Sequence, residues 1–261
     1  MPSAPCYVLS DAHLGPAPAE AERSLLELLA RARTEARSVV LNGDLFDFWF
    51  EWRSVMPRTG FRVLAALADL RDAGVEVLWI AGNHDCWGGE ILTRDVGVTY
   101  HVGPWRGEIG GWKALVEHGD GLRDKEDAPY RRLRTVLRNP LAIRAFRWLH
   151  PDLATRIAGA TSHTSRNMRP GDGGEGMRRV ALERLRAEPA LELYVFGHTH
   201  ASVIGRTDRG GVFANPGAWM DEPVFLRVTP GRVELARLDG DAVRVVQALD
   251  RGVAANSPSV Q

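Results

Sequence analysis

Five short segments of this 261-residue chain place Asp, Asn or His beside small residues directly after an apolar run. They are Asp11-Ala12-His13, Gly43-Asp44, Gly82-Asn83-His84-Asp85, His118-Gly119-Asp120 and Gly197-His198-Thr199-His200. Together they offer seven oxygen and nitrogen donors: Asp11, His13, Asp44, Asn83, His118, His198 and His200. Such a donor set suits two divalent ions of borderline softness, manganese first, with iron or zinc as the other choices. Residues two apart on an extended segment point the same way, so Asp-x-His and His-x-His can each turn both donors onto one ion pair. The glycines permit sharp turns and close backbone approach. Each segment alone also reads as turn chemistry, because Asp, Asn and Gly are common turn formers. The histidines decide between the two readings. Of eight, five (His13, His84, His118, His198, His200) fall in these segments, and His101, His150 and His163 do not.

To share one site, these segments must sit at the ends of neighbouring strands. The apolar run Cys6–Leu9 predicts a buried strand that stops at Ser10-Asp11. A helix is expected over residues 20–36, with Leu25, Leu28 and Leu29 on one face. Strand 39–41 follows, then helix 59–73 closed by Gly74, then strand 75–80. This alternation predicts a sheet with helical crossovers, whose ligand sites lie beyond the carboxyl ends of the strands. Short strands are expected at 97–102, 108–109 and 113–117, and helix over 127–159 with a break at Asn139-Pro140. A Gly-rich loop at 171–176 leads to helix 177–187 and strand 191–196. Strands at 201–207, 211–214, 224–228, 233–238 and 242–247 complete a domain spanning 1–250, with 251–261 as a disordered tail.

Formal net charge is zero, which gives no bulk attraction to nucleic acid, and no nucleic-acid partner is expected. Arginine is nevertheless dense between residues 123 and 186, which points to a basic patch facing an anionic substrate or surface. Two cysteines, Cys6 and Cys86, do not make a disulfide framework and read as reduced thiols in a cytoplasmic protein. Cys86 follows a donor segment, but oxygen and imidazole ligands suffice without it. The N-terminal residues lack a basic region and a long apolar run, so no signal peptide is expected. No stretch approaches the ~20 apolar residues of a membrane span, which leaves contact with the inner membrane surface as the expected form of any membrane association.

Taken in order, Asp-x-His, Gly-Asp-x-x-Asp, Gly-Asn-His-Asp, His-Gly-Asp and Gly-His-Thr-His resemble the calcineurin-like metallophosphoesterase superfamily, over residues 11–200. The resemblance implies a four-layered α/β/β/α sandwich with two metals at the strand ends. It implies Asp11, His13, Asp44 and His200 on one metal, and Asp44, Asn83, His118 and His198 on the other, with Asp44 bridging. It implies that His84 is the catalytic histidine, oriented by Asp85. Paired ions at such a site acidify a water and clamp phosphoryl oxygens, while His84 stabilises the charged transition state or protonates the leaving oxygen. Asp47, at the end of Gly-Asp-Leu-Phe-Asp, reads either as orienting a ligand or as a solvated turn carboxylate. A non-catalytic scaffold on this fold would have lost ligands or the histidine, and this chain keeps them all.

Within the superfamily, four segments resemble the bacterial UDP-2,3-diacylglucosamine diphosphatases, hydrolases of the lipid A pathway. They are Gly43-Asp44-Leu45-Phe46-Asp47-Phe48-Trp49, Asp127-Ala128-Pro129-Tyr130, Thr164-Ser165-Arg166 and Pro216-Gly217-Ala218-Trp219. That resemblance implies cleavage of UDP-2,3-diacylglucosamine to 2,3-diacylglucosamine 1-phosphate and UMP. It also implies a helical lid at about 127–169 over the acyl chains, and substrate contacts from Asn83, His84, Asp127, Ser165, Arg166 and His198. The insertion itself mixes Leu133, Val136, Ile143, Phe146 and Trp148 with Arg131, Arg132, Arg134, Arg138, Arg144 and Arg147. This composition suits an anionic lipid head group at an interface, and equally a core-facing helix pair with a solvated basic face. One departure is His84, where members of that family carry Arg. The alternative substrate class is another phosphodiester or nucleotide, for which no deep apolar pocket is expected.

Overall fold

A computed structural model describes residues 1–123, 127–167 and 173–252, with backbone alone for Pro129 and residues 160–167. Strand β1 (Cys6–Leu9), helix α1 (Ala19–Glu35), β2 (Ser38–Asn42), α2 (Phe61–Asp72), β3 (Glu76–Ile80) and β4 (Thr99–His101) form the crossover half that the hydrophobic alternation predicts. β1, β2, β3 and β4 are parallel and adjacent, so their carboxyl ends share one edge of the sheet. The chain then makes β5 (Trp105–Ile109), β6 (Trp112–Val116) and four helices: α3 (Ala128–Leu137), α4 (Pro140–Phe146), α5 (Pro151–Asn167) and α6 (Glu175–Ala187). β7 (Leu193–Val195), β8 (Val203–Arg206) and β9 (Val212–Asn215) complete a second sheet in the order β5-β6-β7-β9-β8. β10 (Val224–Thr229), β11 (Arg232–Asp239) and β12 (Ala242–Asp250) return to the first sheet, which reads β12-β11-β10-β1-β2-β3-β4.

β1 and β2 are buried along their whole length because both of their faces are covered. Val8 and Val40 pack between the sheets with Ala114, Val116, Val195 and Ala214. Tyr7, Val39 and Leu41 face outward against Leu25, Leu28 and Leu29 of α1 and Leu64 and Leu67 of α2. α6 covers the far side of the second sheet through Met177, Ala181 and Leu185, against Tyr194 and Phe213. The result is the expected four-layered α/β/β/α sandwich. Each fully buried leucine of α1 contributes roughly 1.5–3 kcal/mol relative to exposure, so the layers that carry the site are held chiefly by hydrocarbon.

The departures from expectation are local. A π-helical turn at Ile91–Asp95 carries no apolar period; the buried Glu51 carboxylate sets it by accepting from Ile91 N–H (3.0 Å) and Leu92 N–H (3.2 Å). β5 begins at Trp105 rather than 108, α5 continues past Gly159, and α6 starts at Glu175. The break at Asn139-Pro140 is present, with the Asn139 side chain accepting from Leu141 N–H (2.8 Å). Part of the Gly-rich loop, and the tail beyond Gly252, lie outside the described residues. Among those described, no helix is long and apolar enough to cross a membrane.

The inserted helices rest on the segment that follows the Gly-Asp motif. Ile143, Phe146, Leu149 and Ala154 pack with Phe48, Phe50, Trp52 and Trp87, and the Phe50 and Phe146 rings lie 5.0 Å apart. α3 is tied down by polar contacts at each end: Tyr130 Oη donates to Asp120 (2.9 Å), and Trp87 Nε1 donates to the Leu137 carbonyl (2.9 Å).

Candidate metal centre

The six predicted aspartate and histidine donors come together at the strand ends of the two sheets, but not by the route the spacing suggests. Asp11, His13, Asp44, His198 and His200 have φ of 54°, 42°, 54°, 65° and 59°. They are the only non-glycine residues with left-handed backbone among those described. Asp-x-His and His-x-His therefore converge through left-handed turns rather than as extended pairs, which corrects the sequence reading. Aspartate and histidine tolerate that region better than most residues, and such strain clusters at working sites. The motif glycines allow the chains to close in: a Cβ on Gly43 would collide with the His118 ring, and one on Gly82 with the Asp44 carboxylate.

Each aspartate divides its two oxygens. Asp11 Oδ2 accepts from His198 N–H (3.0 Å) and from Ser10 Oγ, while Oδ1 is buried with no hydrogen bond. Asp44 Oδ1 accepts from His84 N–H (2.9 Å), while Oδ2 is buried with none. The imidazoles divide in the same way. His118 Nδ1 donates to the Asn42 carbonyl (2.8 Å), which turns Nε2 to within 3.1 Å of Asp44 Oδ2. His13 sets Nδ1 3.4 Å from Asp47 Oδ1 and Nε2 3.7 Å from Asp11 Oδ1. His200 sets Nδ1 3.4 Å from Asp221 Oδ2 and Nε2 3.4 Å from Asp11 Oδ1. His118, held by one nitrogen with no hydrogen bond at the other, shows how proteins prepare a metal ligand.

The bare atoms test whether a metal fits. Asp11 Oδ1, Asp44 Oδ2, Asn83 Oδ1, His13 Nε2 and His118 Nε2 are all buried and make no hydrogen bond. An unsatisfied buried polar atom costs about 1–3 kcal/mol, more if charged, so so many together need a cation. Asp11, His13 and His200 hold donor atoms within 4.8 Å of one another, as do Asp44, His118 and His198, and Asp44 also groups with His13 and His84. The residues present fit divalent metal.

Electrostatics agree. Burial opposes charge on Asp11, but His118, His13 and His200 outweigh it and hold the carboxyl well below its usual range. Asp44 is likewise held low against burial, by His118, His84 and His13. Burial opposes charge on His13 too, yet Asp11, Asp47 and Asp44 push it up to about 9, and His118 is raised well above its ordinary value by Asp44 and Asp11. Positive charge is thus demanded at this point, and a bound metal would displace these protons. His84 goes the other way: burial lowers it despite Asp44.

Other expected site residues are placed differently. His84 Nδ1 lies 2.8 Å from the Asp47 carbonyl. Asp85, expected to orient His84, instead accepts from Leu45 N–H (2.9 Å), Trp79 Nε1 (3.2 Å) and Gly82 N–H (2.7 Å). It ties the two donor turns together, because only a buried carboxylate offers enough acceptors there. Asp47 is 8 % exposed and beside His13, so the solvated-turn reading does not hold. Asp127, expected on substrate, is buried, and both of its oxygens are taken by Arg123 through N–H (2.9 Å), Nε (3.1 Å) and Nη2 (2.7 Å). Ser165 and Arg166 lie on the last turns of α5, and their side chains are outside those described. Asp221 was not singled out from the sequence. The only nearby signal is the Pro216-Gly217-Ala218-Trp219 segment, whose Trp219 N–H and Met220 N–H bond to the Ser10 and Asp11 carbonyls (3.1 and 3.3 Å).

Comparison with known proteins points the same way. Residues 4–202 match the calcineurin-like phosphoesterase family. The chain is 34% identical over 220 residues to a UDP-2,3-diacylglucosamine hydrolase of Porphyromonas gingivalis, covering 76% of this chain and 83% of that protein. It is 31% identical over 237 residues to one of Stenotrophomonas maltophilia, covering 85% and 94%. Among solved structures, vacuolar protein sorting 29 of Cryptosporidium parvum is similar with a TM-score of 0.48 at 16% identity, covering 94% of this chain and 97% of that one. A dimetal phosphatase of Danio rerio is similar with a TM-score of 0.43 at 12% identity, covering 94% and 98%.

Proposed function

Since the chain belongs to the calcineurin-like phosphoesterase family and is a metal-dependent hydrolase, we propose that it cleaves the pyrophosphate bond of UDP-2,3-diacylglucosamine to 2,3-diacylglucosamine 1-phosphate and UMP. The observation that carries this reading is the set of buried atoms without a hydrogen bond on Asp11, His13, Asp44, Asn83 and His118, together with the grouping of the aspartate and histidine donors within 4.8 Å of one another. Asp11, His13, Asp44 and His200 would hold one divalent ion, and Asp44, Asn83, His118 and His198 the other, manganese being the expected metal. When bound, the ions supply the positive charge that acidifies a water and neutralises phosphoryl oxygens.

The remaining work falls to the protein. The Asp47 carbonyl holds His84 by Nδ1 and so turns Nε2 toward Asp44 Oδ2, 4.0 Å away. A proton on that nitrogen would pass to the leaving oxygen; burial disfavours the imidazolium that carries it, and the neighbouring Asp44 carboxylate favours it. Asn83, His84, His198, Ser165 and Arg166 are the proposed substrate contacts, and Asp127, also expected among them, is held by Arg123.

Two features support the acylated substrate: the names of the relatives, and the exposed hydrocarbon of α3 to α5. Leu133, Val136, Leu141 and Trp148 are exposed among arginines, with Trp148 at 85 %. The same face suits a cytoplasmic protein that touches the inner membrane surface. The test offers purified protein with Mn²⁺ a diacylated UDP-glucosamine, an aryl phosphodiester and an aryl monoester. UMP should appear from the first, faster with longer acyl chains, since each buried methylene contributes ~0.8 kcal/mol. Turnover of the aryl diester alone would leave a two-metal phosphoesterase and remove the lipid substrate.

A further inference from the structure

Of the imidazoles His13, His84, His118 and His200, two have Nδ1 hydrogen-bonded to a backbone carbonyl and two have it 3.4 Å from a carboxylate oxygen. His118 uses the Asn42 carbonyl, His84 the Asp47 carbonyl and His13 the Asp47 carboxylate. For His200 the acceptor is Asp221, with Oδ2 3.4 Å from Nδ1. The first three acceptors sit within or next to the donor strands, whereas Asp221 comes from a distant part of the chain, and the fold goes to some length to deliver it.

Trp219 is buried, and its indole N–H bonds to the Ala21 carbonyl of α1 (2.9 Å). The backbone N–H groups of Trp219 and Met220 bond to the carbonyls of Ser10 and Asp11, the latter a donor itself. Asp221 N–H closes the turn onto the Ala218 carbonyl (3.0 Å). The turn that carries Asp221 is therefore pinned to the segment that carries Asp11, and Asp11 Oδ1 lies 3.4 Å from the opposite nitrogen of the same ring. His200 is clasped between two carboxylates, one on each nitrogen.

We infer that Asp221 is the positioning residue of His200. It holds the ring with the proton on Nδ1 and so presents Nε2 to the metal beside Asp11. This rests on the metal assignment of the proposed function. The role matters most at His200 because its side chain is about one-fifth exposed, whereas those of His13 and His118 are buried. A ring that water can reach needs a fixed partner to keep one tautomer, and loss of such a partner typically costs 10–100-fold in metal affinity.

The test uses the full chain loaded with Zn²⁺, a diamagnetic ion. Two readouts are taken: Zn²⁺ release to a chelator, and the imidazole ¹⁵N spectrum of His200. In Asp221→Ala, one of the two ions should leave about 10–100-fold faster while the other keeps its rate, and the His200 Nδ1–H signal should be lost to exchange or shifted. Asp221→Asn, whose amide oxygen can accept the same N–H, should recover most of the release rate. Release rates within twofold of wild type for both ions, with an unchanged His200 spectrum, would overturn the inference. So would an equal loss of both ions in Asp221→Ala and Asp221→Asn, which would mark a general loosening of the turn. Should wild-type protein bind no Zn²⁺, the metal assignment fails, and the ¹⁵N spectrum of the metal-free chain still reports whether Asp221 holds His200 Nδ1–H.

Discussion

The strand ends and the helical insertion are both rich in charge, and the fold treats the two in opposite ways. At the strand ends, Asp11 and Asp44 each give one oxygen to the protein and keep the other without a hydrogen bond, and His118 does the same with its two nitrogens. Around the start of the insertion, part of the charge is consumed internally. Arg123 takes Asp127, Arg131 donates to the Arg123 carbonyl (2.7 Å), and Tyr130, Arg134 and Arg138 gather on Asp120. What the insertion leaves to solvent is hydrocarbon set among exposed arginines such as Arg132 and Arg144. One region is preorganised for cations and a phosphoryl group, where fixed dipoles and charges are most effective. The other presents apolar area interspersed with arginine, which discriminates by size as well as by charge. The many arginines that suggested an anion-binding face in the sequence are in part the mortar of the insertion itself.

The comparison breaks most easily at Asp44. It belongs to two of the three donor groups, so on the proposed reading Asp44→Ala should lose metal and lower turnover by at least about 10³-fold on every substrate. Metal analysis beside kinetics checks this; full metal content in that variant would mean the strand ends are not the metal site. A smaller effect is expected at His84, which belongs to the same region and is held at Nδ1 by the Asp47 carbonyl. His84→Ala should lower turnover by roughly 10²–10⁴-fold and leave metal content near that of wild type. Loss of both metals there would make His84 a ligand, as its proximity to His13 and Asp44 permits.

How much was legible follows the same division. The donors and the crossover strands were readable because apolar runs such as Cys6–Leu9 end sharply at polar residues, and burial on both faces leaves little choice of element. The left-handed backbone at Asp11 and His200 was not readable, because no side-chain pattern encodes φ. Nor was the partner of a carboxylate. Asp85, Asp127 and Asp221 look alike in sequence, and only the fold assigns one to two turns, one to Arg123 and one to His200. The π-helical turn escaped for the same reason, since its cap, Glu51, lies 40 residues upstream of Ile91.

The smallest effect is expected where the two regions touch. Asp120 follows His118 by two residues, and its carboxylate accepts from Tyr130 of α3 (2.9 Å), with Arg138 at 3.5 Å and Arg134 at 3.7 Å. Tyr130→Phe removes one hydrogen bond to a charged group and leaves both arginines, so stability should fall by about 1.5–3 kcal/mol at most. Two outcomes are then distinguishable in kinetics. Were α3 to tension the His118 turn, metal content and turnover of a small aryl diester would fall together with turnover of the acylated substrate. His118 is fixed independently, however: its Nδ1 is held by the Asn42 carbonyl (2.8 Å), and its own carbonyl accepts from Gly197 N–H (2.8 Å). Tyr130→Phe should therefore lower kcat/KM for the diacylated sugar nucleotide a few-fold and leave the aryl diester within about twofold, as expected when a change removes binding made only by the insertion. A parallel fall on both substrates would show that the insertion and the metal centre are one mechanical unit, and that the division between them is one of composition rather than of function.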